Sequence, residues 1–396
     1  MKAPSRDTRG DNPSRQMIRQ AQVSAESRDP VSEIKRALGD GPFSLVCLFV
    51  SPMADFNDLT RAAKSQYPSA EVMACTTAGE LGKEGYESGQ IIAIGFPRET
   101  FCVQTVQIED LQTLDEPALI DELIQRRMRL TRDAAEMASE FAFLMVDGLS
   151  QQEEHLTGVL SLGLGPMPLF GGSAGDGMDF QSTFLSHNGQ ILHNGAILAL
   201  LRSCCEVEVF SLDHFVPTST RMVVTKADPE RRIVQQINAE PAAREYARLL
   251  GKDPNQLTPF VFAAYPVVVR LGQSHHVRAI QRVTDTGELV FFSAVDEGMV
   301  LTLADKEVMS QHLESGFADL TRGPQHPEMI LGCDCMLRRL EAEETQQTFD
   351  VSQTLRRHNV VGFSTYGEQI GGLHVNQTFT GVALYPPKSR SDDVSD

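Results

Sequence analysis

The chain has 396 residues, a length that predicts two domains. Its residues are 41% hydrophobic and 22% charged, a composition typical of a folded protein. Its 35 basic and 53 acidic side chains give a net charge of -18, which argues against nucleic acid and anionic lipid as partners. The longest apolar runs, such as 43–50 and 196–201, are far shorter than the ~20 residues of a membrane span, so we expect a cytoplasmic protein.

The predicted elements repeat one order along the chain. Polar composition predicts disordered tails at residues 1–30 and 387–396. Between the tails, the order strand, helix, strand, turn, strand occurs at 43–96, at 141–201 and at 327–385. This internal repeat predicts an α/β fold with two related domains of layered β-sheets flanked by helices. A domain boundary is predicted near 215–226, where a Pro and Ser/Thr cluster follows a strand.

Turns at the strand ends carry the first candidate ligand residues. Two repeats contain a Thr-x-Gly-Glu turn, which places Glu80 and Glu368 at strand ends, where open sheets often bind ligands. The Gly-rich segment 171–177 lacks the Lys of a phosphate-binding loop and precedes a strand-like run, so a tight turn with positive φ is favoured. Solvated turn carboxylates remain an alternative for both glutamates.

Cysteine and serine patterns give little support to catalysis. The sequence has no Gly-x-Ser-x-Gly nucleophile turn, so we expect no enzyme. Seven cysteines are spread over the chain, including the vicinal pair Cys204 and Cys205 and the pair Cys333 and Cys335. A closed zinc site needs four ligands, and buried free thiols explain the pairs more simply, with zinc binding or redox sensing as the alternative.

Four histidines are candidate ligands for a metal or a haem, because imidazole is a common ligand of both. They are His214, just past an apolar strand, the pair His275 and His276, and His374. The sequence lacks Cys-x-x-Cys-His, so any haem would be a non-covalently bound haem b. For each histidine an ordinary hydrogen-bonded role is the alternative.

Several separate motifs resemble those of the FIST family of sensory domains. They are Leu169-Phe-Gly-Gly-Ser-Ala-Gly-Asp176, the stretch from His214 to Asp228, Ile237 to Tyr246, and Val361 to Glu368 followed by His374 to Thr380. The resemblance implies a FIST N domain at 31–220 and a FIST C domain at 221–386. It also implies a ligand-binding input module of bacterial signal transduction.

The resemblance also implies residues for the ligand pocket. Positions that match the family pattern, together with Glu80 of the repeated turn, are Gly172, Ser173, Gly175, Asp176, Tyr366, Gly367, Glu368 and Asn376. His214 falls where FIST sequences often carry a histidine and is the first candidate for an axial haem ligand, before His374, His275 and His276.

Stand-alone FIST proteins that sense nitric oxide through haem are the most similar kind. They regulate a separate histidine kinase and are linked to cyclic-di-GMP signalling and biofilm formation. This sequence shows no output domain, so we expect it to act on a partner protein, and a homodimer is an open alternative to a monomer. Two alternatives stay open: a sensor of a small organic ligand such as an amino acid, held by Glu80, Asp176 and Glu368, and a thiol or zinc sensor that uses the four paired cysteines.

Overall fold

Three of the sheets repeat one architecture. The computed structural model describes residues 18–271, 274–321 and 325–386, and three of the sheets in these ranges have six strands each. Three stretches of chain, which we call unit 1 (19–97), unit 2 (101–203) and unit 3 (207–384), have the same element order. Each has a strand, a helix, a strand, one or two helices, a strand, a short hairpin and a last strand.

Units 1 and 2 follow each other directly. Unit 1 contains β1 Arg19–Ser24, α1 Pro30–Leu38, β2 Phe43–Val50, α2 Phe56–Gln66, β3 Glu71–Thr76, β4 Glu80–Gly82, β5 Gly85–Glu87 and β6 Gln90–Pro97. Unit 2 contains β7 Phe101–Ile108, α3 Glu116–Asp133, β8 Ser139–Val146, α4 Glu153–Leu164, β9 Leu169–Ser173, β10 Leu185–His187, β11 Gln190–Leu192 and β12 Ala196–Ser203.

Unit 3 is interrupted after its first strand, β13 Val207–Leu212, by a fourth sheet, which we call the inserted sheet (215–306). This sheet and its helices contain β14 Phe215–Asp228, β15 Ile233–Ile237, β16 Glu240–Pro241, α5 Ala242–Leu250, α6 Pro259–Ala264, β17 Val267–Leu271, β18 Ser274–Arg278, β19 Ile280–Val283, β20 Leu289–Phe291 and β21 Val300–Lys306. Unit 3 then continues with α7 Met309–Asp319, β22 Met329–Cys335, α8 Met336–Glu344, α9 Thr348–Arg357, β23 Val360–Thr365, β24 Glu368–Ile370, β25 Leu373–Val375 and β26 Phe379–Leu384.

Every unit completes the sheet of another unit. The sheet of unit 1 has the order β1-β6-β2-β3-β10-β11, so its last two strands are the hairpin of unit 2. The sheet of unit 2 ends in the same way with the unit 3 hairpin β24-β25, and the sheet of unit 3 ends with the unit 1 hairpin β4-β5. Each sheet has one parallel pair of neighbouring strands, β2 with β3, β8 with β9 and β22 with β23. The other neighbouring strands of these sheets are antiparallel. The exchange is cyclic, which gives the three units a pseudo-threefold arrangement.

Aromatic side chains from all three units meet in one core. The ring centroid of Phe49 lies 4.5 Å from that of Phe363 and 6.3 Å from that of Phe143, and Phe143 stacks on Phe170 at 4.9 Å. The central strands β2, β8 and β22 are buried on both faces, since helices cover the outer face and the other two sheets cover the inner one. Their continuous apolar sequences follow from this double burial.

The inserted sheet packs on one end of this three-unit body. Phe215, Val268 and Phe292 of the inserted sheet form a buried cluster with Leu337 and Tyr366 of unit 3. Its other face forms a separate core with α5 and α6. The boundary near 215–226 that the sequence suggests lies at the start of this sheet, but the chain returns afterwards to finish unit 3.

Most predicted elements of the repeat are confirmed, with two differences. The helix predicted over 341–358 is divided into α8 and α9, because Gln346 adopts a left-handed φ of 57°. Residues 19–24, within a stretch where polar composition suggests a tail, form β1 and pair with β6. Here Ala21 and Val23 are buried while their neighbours are more exposed, the alternation of a strand with one covered face.

Replacing Gly172 with Ala tests the close approach of units 2 and 3. A Cβ at this position would lie 2.4 Å from Cγ2 of Thr365 and 3.1 Å from Sγ of Cys333. We expect the variant to lose about 1–3 kcal/mol of unfolding free energy through overpacking. Gly158→Ala is the matched control: its Cβ would meet nothing within 4 Å, and the helical position should gain about 0.5–1 kcal/mol. Chemical denaturation measures both, and equal stability of the two variants would contradict the packing.

Candidate ligand sites

Buried carboxylates hold the exchanged hairpins in place. Glu80 accepts hydrogen bonds from the Thr77 hydroxyl at 2.5 Å and from the backbone N–H of Gln90 at 3.1 Å, on either side of the hairpin β4-β5. Glu368 does the same for β24-β25, with the Thr365 hydroxyl and with the N–H of Thr378 at 3.1 Å. In these positions both glutamates serve the fold.

The third hairpin uses a different carboxylate. Asp147, which follows β8, accepts from the hydroxyl of Thr183 and from the N–H of Asn194 at 2.7 Å, at the two ends of β10-β11. The repeated Thr-x-Gly-Glu turn thus has a functional counterpart in unit 2 that no shared motif reveals. Burial raises the pKa of Glu80 and raises that of Glu368 to about 8.

Asp176 organises the loop that follows β9. Its carboxylate accepts from the Tyr366 hydroxyl and from three backbone N–H groups, those of Phe180, Gln181 and Ser182, at 2.7 to 2.9 Å. Burial alone would raise the pKa of Asp176, but these four donors outweigh it and the net shift is downward. Asp176 also borders a cleft of about 330 Å³ beside the start of α2.

The Gly-rich segment differs from the tight turn that its composition predicts. Gly171 and Gly172 lie inside strand β9, and only Gly177 has a left-handed φ, of 76°. A Cβ on Gly171 would lie 2.4 Å from the Leu144 carbonyl oxygen. Glycine is therefore needed at 171 for the close contact with the neighbouring strand β8 and at 172 for the packing against unit 3, and the expectation of a positive-φ turn at these two residues is wrong.

His214 is fully buried and both its ring nitrogens are bonded. Nδ1 lies 2.9 Å from Nη1 of Arg338, and Nε2 lies 3.0 Å from Oε1 of Glu341. A guanidinium can only donate, so Nδ1 accepts and Nε2 carries the proton that Glu341 accepts. Burial lowers the pKa of His214, in keeping with a neutral ring. The first candidate for an axial ligand thus has no lone pair to offer in this conformation.

His374 and Asn376 lie in a buried polar cluster beneath the inserted sheet. Nδ1 of His374 is 3.3 Å from the Gln369 amide nitrogen, which donates to the Ser173 hydroxyl at 3.0 Å. Asn376 accepts from the Ser293 hydroxyl at 2.6 Å. Burial lowers the pKa of His374 to about 3. The structure thus connects Ser173 of the predicted pocket with His374, a predicted haem ligand, and Asn376 lies next to Gly367.

Two ion pairs that sequence reasoning missed border this cluster. Arg232 donates to Glu153 at 2.6 Å, and Arg278 lies 3.5 Å from Glu154, so both acids of the first turn of α4 face arginines of the inserted sheet. Several buried polar atoms here have no hydrogen-bond partner among the described residues. These are Nε and Nη1 of Arg278, Oε1 of Gln369 and Nδ2 of Asn376.

His275 lines an open groove on the inserted sheet. The groove has a volume of about 750 Å³ and crosses four neighbouring strands, β18, β17, β21 and β14. It is lined by Pro217, Thr218, Arg221, Val269, Arg270, His275, Asp296, Met299, Val300 and Thr302. His275 pairs with Arg270 and Thr302 pairs with Arg221, so these four side chains share one sheet face. His276 follows on the other face of β18, and burial lowers its pKa.

The paired cysteines do not come together as a metal site. Cys333 and Cys335 are buried, and burial raises the pKa of both thiols. The sulfurs of exposed Cys204 and buried Cys205 lie 3.9 Å apart in the connection between β12 and β13. No group of three or more potential ligands that could hold a metal ion occurs within the ranges that the structure describes.

Two family matches cover most of the chain. The FIST N domain matches residues 44–240, and the FIST C domain matches residues 242–371. The chain belongs to the FIST family. FIST domains are sensor domains of signal transduction, so the general role expected from the sequence is confirmed. A comparison with curated proteins finds no significant match.

The FIST matches divide the chain differently from the three units. The FIST N match begins in β2 of unit 1 and spans unit 2, β13 and the first strands of the inserted sheet. The FIST C match spans the remainder of that sheet and most of unit 3. No helix in the described part of the chain is long and apolar enough to cross a membrane.

Replacing Glu368 with Gln should remove a pH dependence of stability. Burial raises the folded-state pKa of Glu368 from 4.5 to about 8, so the folded protein holds this proton more tightly than the unfolded chain. The stabilisation is fully present below pH 4.5 and is lost as the pH rises through about 8. We expect the unfolding free energy of the wild type, relative to that of the variant, to fall by up to about 1.4 kcal/mol per pH unit over this window.

Urea titrations across the same pH range measure that difference. Glu343→Gln serves as the control, because Glu343 is half exposed in an ion pair with Arg339 on α8. If the difference in unfolding free energy between the wild type and Glu368→Gln does not change with pH, Glu368 is not a buried carboxyl with a raised pKa.

Proposed function

We propose that this FIST protein is a haem-binding nitric oxide sensor that regulates a separate histidine kinase or cyclic-di-GMP signalling protein, and that the haem binds in the groove on the inserted sheet. The observation that carries the proposal is the position of His275. Its side chain lines a cavity in the described part of the chain that is large enough for a cofactor. The FIST family match supplies the general sensory role.

The side chains around His275 fit the parts of a haem. The imidazole offers a nitrogen to iron, and no hydrogen bond within the described residues occupies it. Arg221 and Arg270 place two cations on the same face, where the carboxylates of a haem would be neutralised. Met299 and Val300, which also line the groove, provide apolar surface for a flat ring. When bound, the iron supplies the coordination position for nitric oxide.

The other histidines fit an iron ligand less well. The nitrogens of His214 are committed to Arg338 and Glu341, and removing either bond would cost a buried charge one of its hydrogen bonds. His374 is enclosed in the polar cluster, with Nδ1 next to Gln369. His276 points away from the groove. The expectation of an axial ligand therefore moves from His214 to His275.

Replacing His275 with Ala tests the proposal through the absorbance spectrum. Haem added to the wild-type protein should give a Soret band that shifts when nitric oxide is added. We expect His275→Ala to bind haem about tenfold or more weakly and to lose the band position of the ligated wild type, since removal of a metal ligand or its support costs at least that much. His276→Ala is the matched control and should retain the wild-type spectrum. An unchanged spectrum in His275→Ala would overturn the assignment of the groove.

A second candidate function is the sensing of a small organic ligand such as an amino acid. It is favoured by the buried polar atoms without partners around His374, because such atoms cost free energy unless a ligand or water satisfies them. Arg278 would meet a carboxylate, and Gln369 an amino group. Glu80, Asp176 and Glu368, the residues first expected to meet such a ligand, are already engaged in the loops and hairpins.

A thermal-shift comparison separates the two candidates. Under the haem proposal, haem raises the melting temperature of the wild type and a mixture of the twenty amino acids does not. The reverse result, abolished by Arg278→Met, would favour the polar cluster as the ligand site. The thiol or zinc alternative is not favoured, since the paired cysteines provide no three-ligand group within the described ranges.

A further inference from the structure

Two short connections carry the chain between the inserted sheet and the three-unit body. The first runs from β13 into β14 through His214, and the second leaves β21 at Lys306 and enters α7. The two connections are hydrogen bonded to each other, since the N–H of Glu307 donates to the carbonyl of His214 at 2.8 Å. Any movement of the inserted sheet relative to the body must bend the chain here.

One buried carboxylate ties both connections to unit 3. Oε1 of Glu341, on α8, lies 3.0 Å from Nε2 of His214 and 3.3 Å from Nζ of Lys306. The Glu341 side chain is fully buried, and its other oxygen has no hydrogen-bond partner among the described residues. We call His214, Lys306 and Glu341 the latch. Both contacts of the latch are made by one oxygen atom, Oε1 of Glu341.

Arg338 fixes the orientation of the latch. Its Nη1 donates to Nδ1 of His214, which forces the Nε2–H tautomer that Glu341 requires. Its Nε donates to Asp334 at 2.7 Å, and Asp334 also accepts from the hydroxyl of Tyr86. Tyr86 lies on β5, in the unit 1 hairpin that completes the sheet of unit 3. A continuous set of buried polar contacts therefore leads from the inserted sheet to an exchanged hairpin.

The groove and the latch share the same two strands. Pro217 and Thr218 on β14 line the groove three and four positions after His214, and Thr302 on β21 lines it four positions before Lys306. The hydroxyl of Thr218 donates to the carbonyl of Leu303 at 2.8 Å, which links the two strands between groove and latch. A group that spreads or shifts these strands at the groove therefore acts on the latch through a few residues of paired backbone.

We propose that Glu341 is a conformational latch, which holds the inserted sheet on unit 3 and is loosened when the groove is occupied, so that the hairpin carrying Tyr86 is released from Asp334. This proposal rests on the proposed function of the groove. The latch gives that function an output: a ligand that binds more tightly to the loosened form shifts the protein toward it. Linkage then requires that loosening the latch tightens ligand binding by the same factor.

Lys306→Met tests the latch in ligand-free protein. The substitution keeps the apolar stem of a side chain that is already 28% exposed, so the protein should fold. We expect hydrogen exchange at 215–216, 303–306 and 85–87 to accelerate by about tenfold, while 196–203 in unit 2 exchanges as in the wild type. The matched control is Lys252→Met, which removes a lysine of the inserted sheet that lies over the Tyr265 ring, away from the latch.

Glu341→Gln provides a second variant, which weakens the contacts to both connections and should accelerate the same segments further. If this variant does not fold by circular dichroism, Lys306→Met alone decides. Exchange at 85–87 that is unchanged in Lys306→Met, or accelerated equally in Lys252→Met, would overturn the latch.

Haem titrations separate the latch from the function of the groove. With the latch as described, haem accelerates exchange at 85–87 in the wild type and binds Lys306→Met about threefold or more tightly than Lys252→Met, by the same linkage. If haem binds neither protein while the ligand-free exchange results hold, the proposed function fails and the mechanical latch stands. If haem binds both proteins equally, the latch is overturned.

Discussion

The structure depends on the exchange of β-hairpins among its three units. Each six-stranded sheet takes its last two strands from another unit, so no unit can satisfy the edge of its own sheet. The buried carboxylates Glu80, Glu368 and Asp147 follow from this constraint, because each closes the base of a hairpin that leaves its own unit. The close contact at Gly172 has a different origin, the packing of unit 2 against Thr365 and Cys333 of unit 3. Several residues that resemble a ligand pocket in sequence are therefore structural.

This division of roles supports the proposal that the ligand binds at the inserted sheet. The three-unit body is held by an apolar core to which every unit contributes, whereas the inserted sheet joins it through two connections and one layer of contacts. Polar contacts between them include the ion pairs of Arg232 with Glu153 and of Arg278 with Glu154, and the connection before the sheet is held by the hydrogen bond of the neutral His214 ring to Glu341. A buried ion pair adds little net free energy of folding, but removing one of its partners costs several kcal/mol. Such pairs suit the proposed movement of the inserted sheet as one unit.

The sequence predicts the repeat well, because strands buried on both faces give continuous apolar runs such as 43–50 and 360–365. It does not predict the exchange of hairpins, since four-residue turns look alike whichever sheet they join. The candidate site was predicted less well. His214 stands out by its position after an apolar strand, but its commitment to Arg338 and Glu341, more than 100 residues away, is visible only in three dimensions. His275 lines the groove because strands β14 and β21 lie beside β17 and β18 in the folded sheet, and no local sequence pattern predicts that arrangement.

The most direct test of this account is hydrogen exchange of the wild-type protein in increasing, sub-denaturing urea. If the exchanged hairpins make the three units one cooperative body, then β2, β8 and β22 share a single opening free energy, and β17 and β18 of the inserted sheet open at a lower one. Opening of β22 and β23 together with the inserted sheet, while β2 and β8 remain protected, would contradict the account.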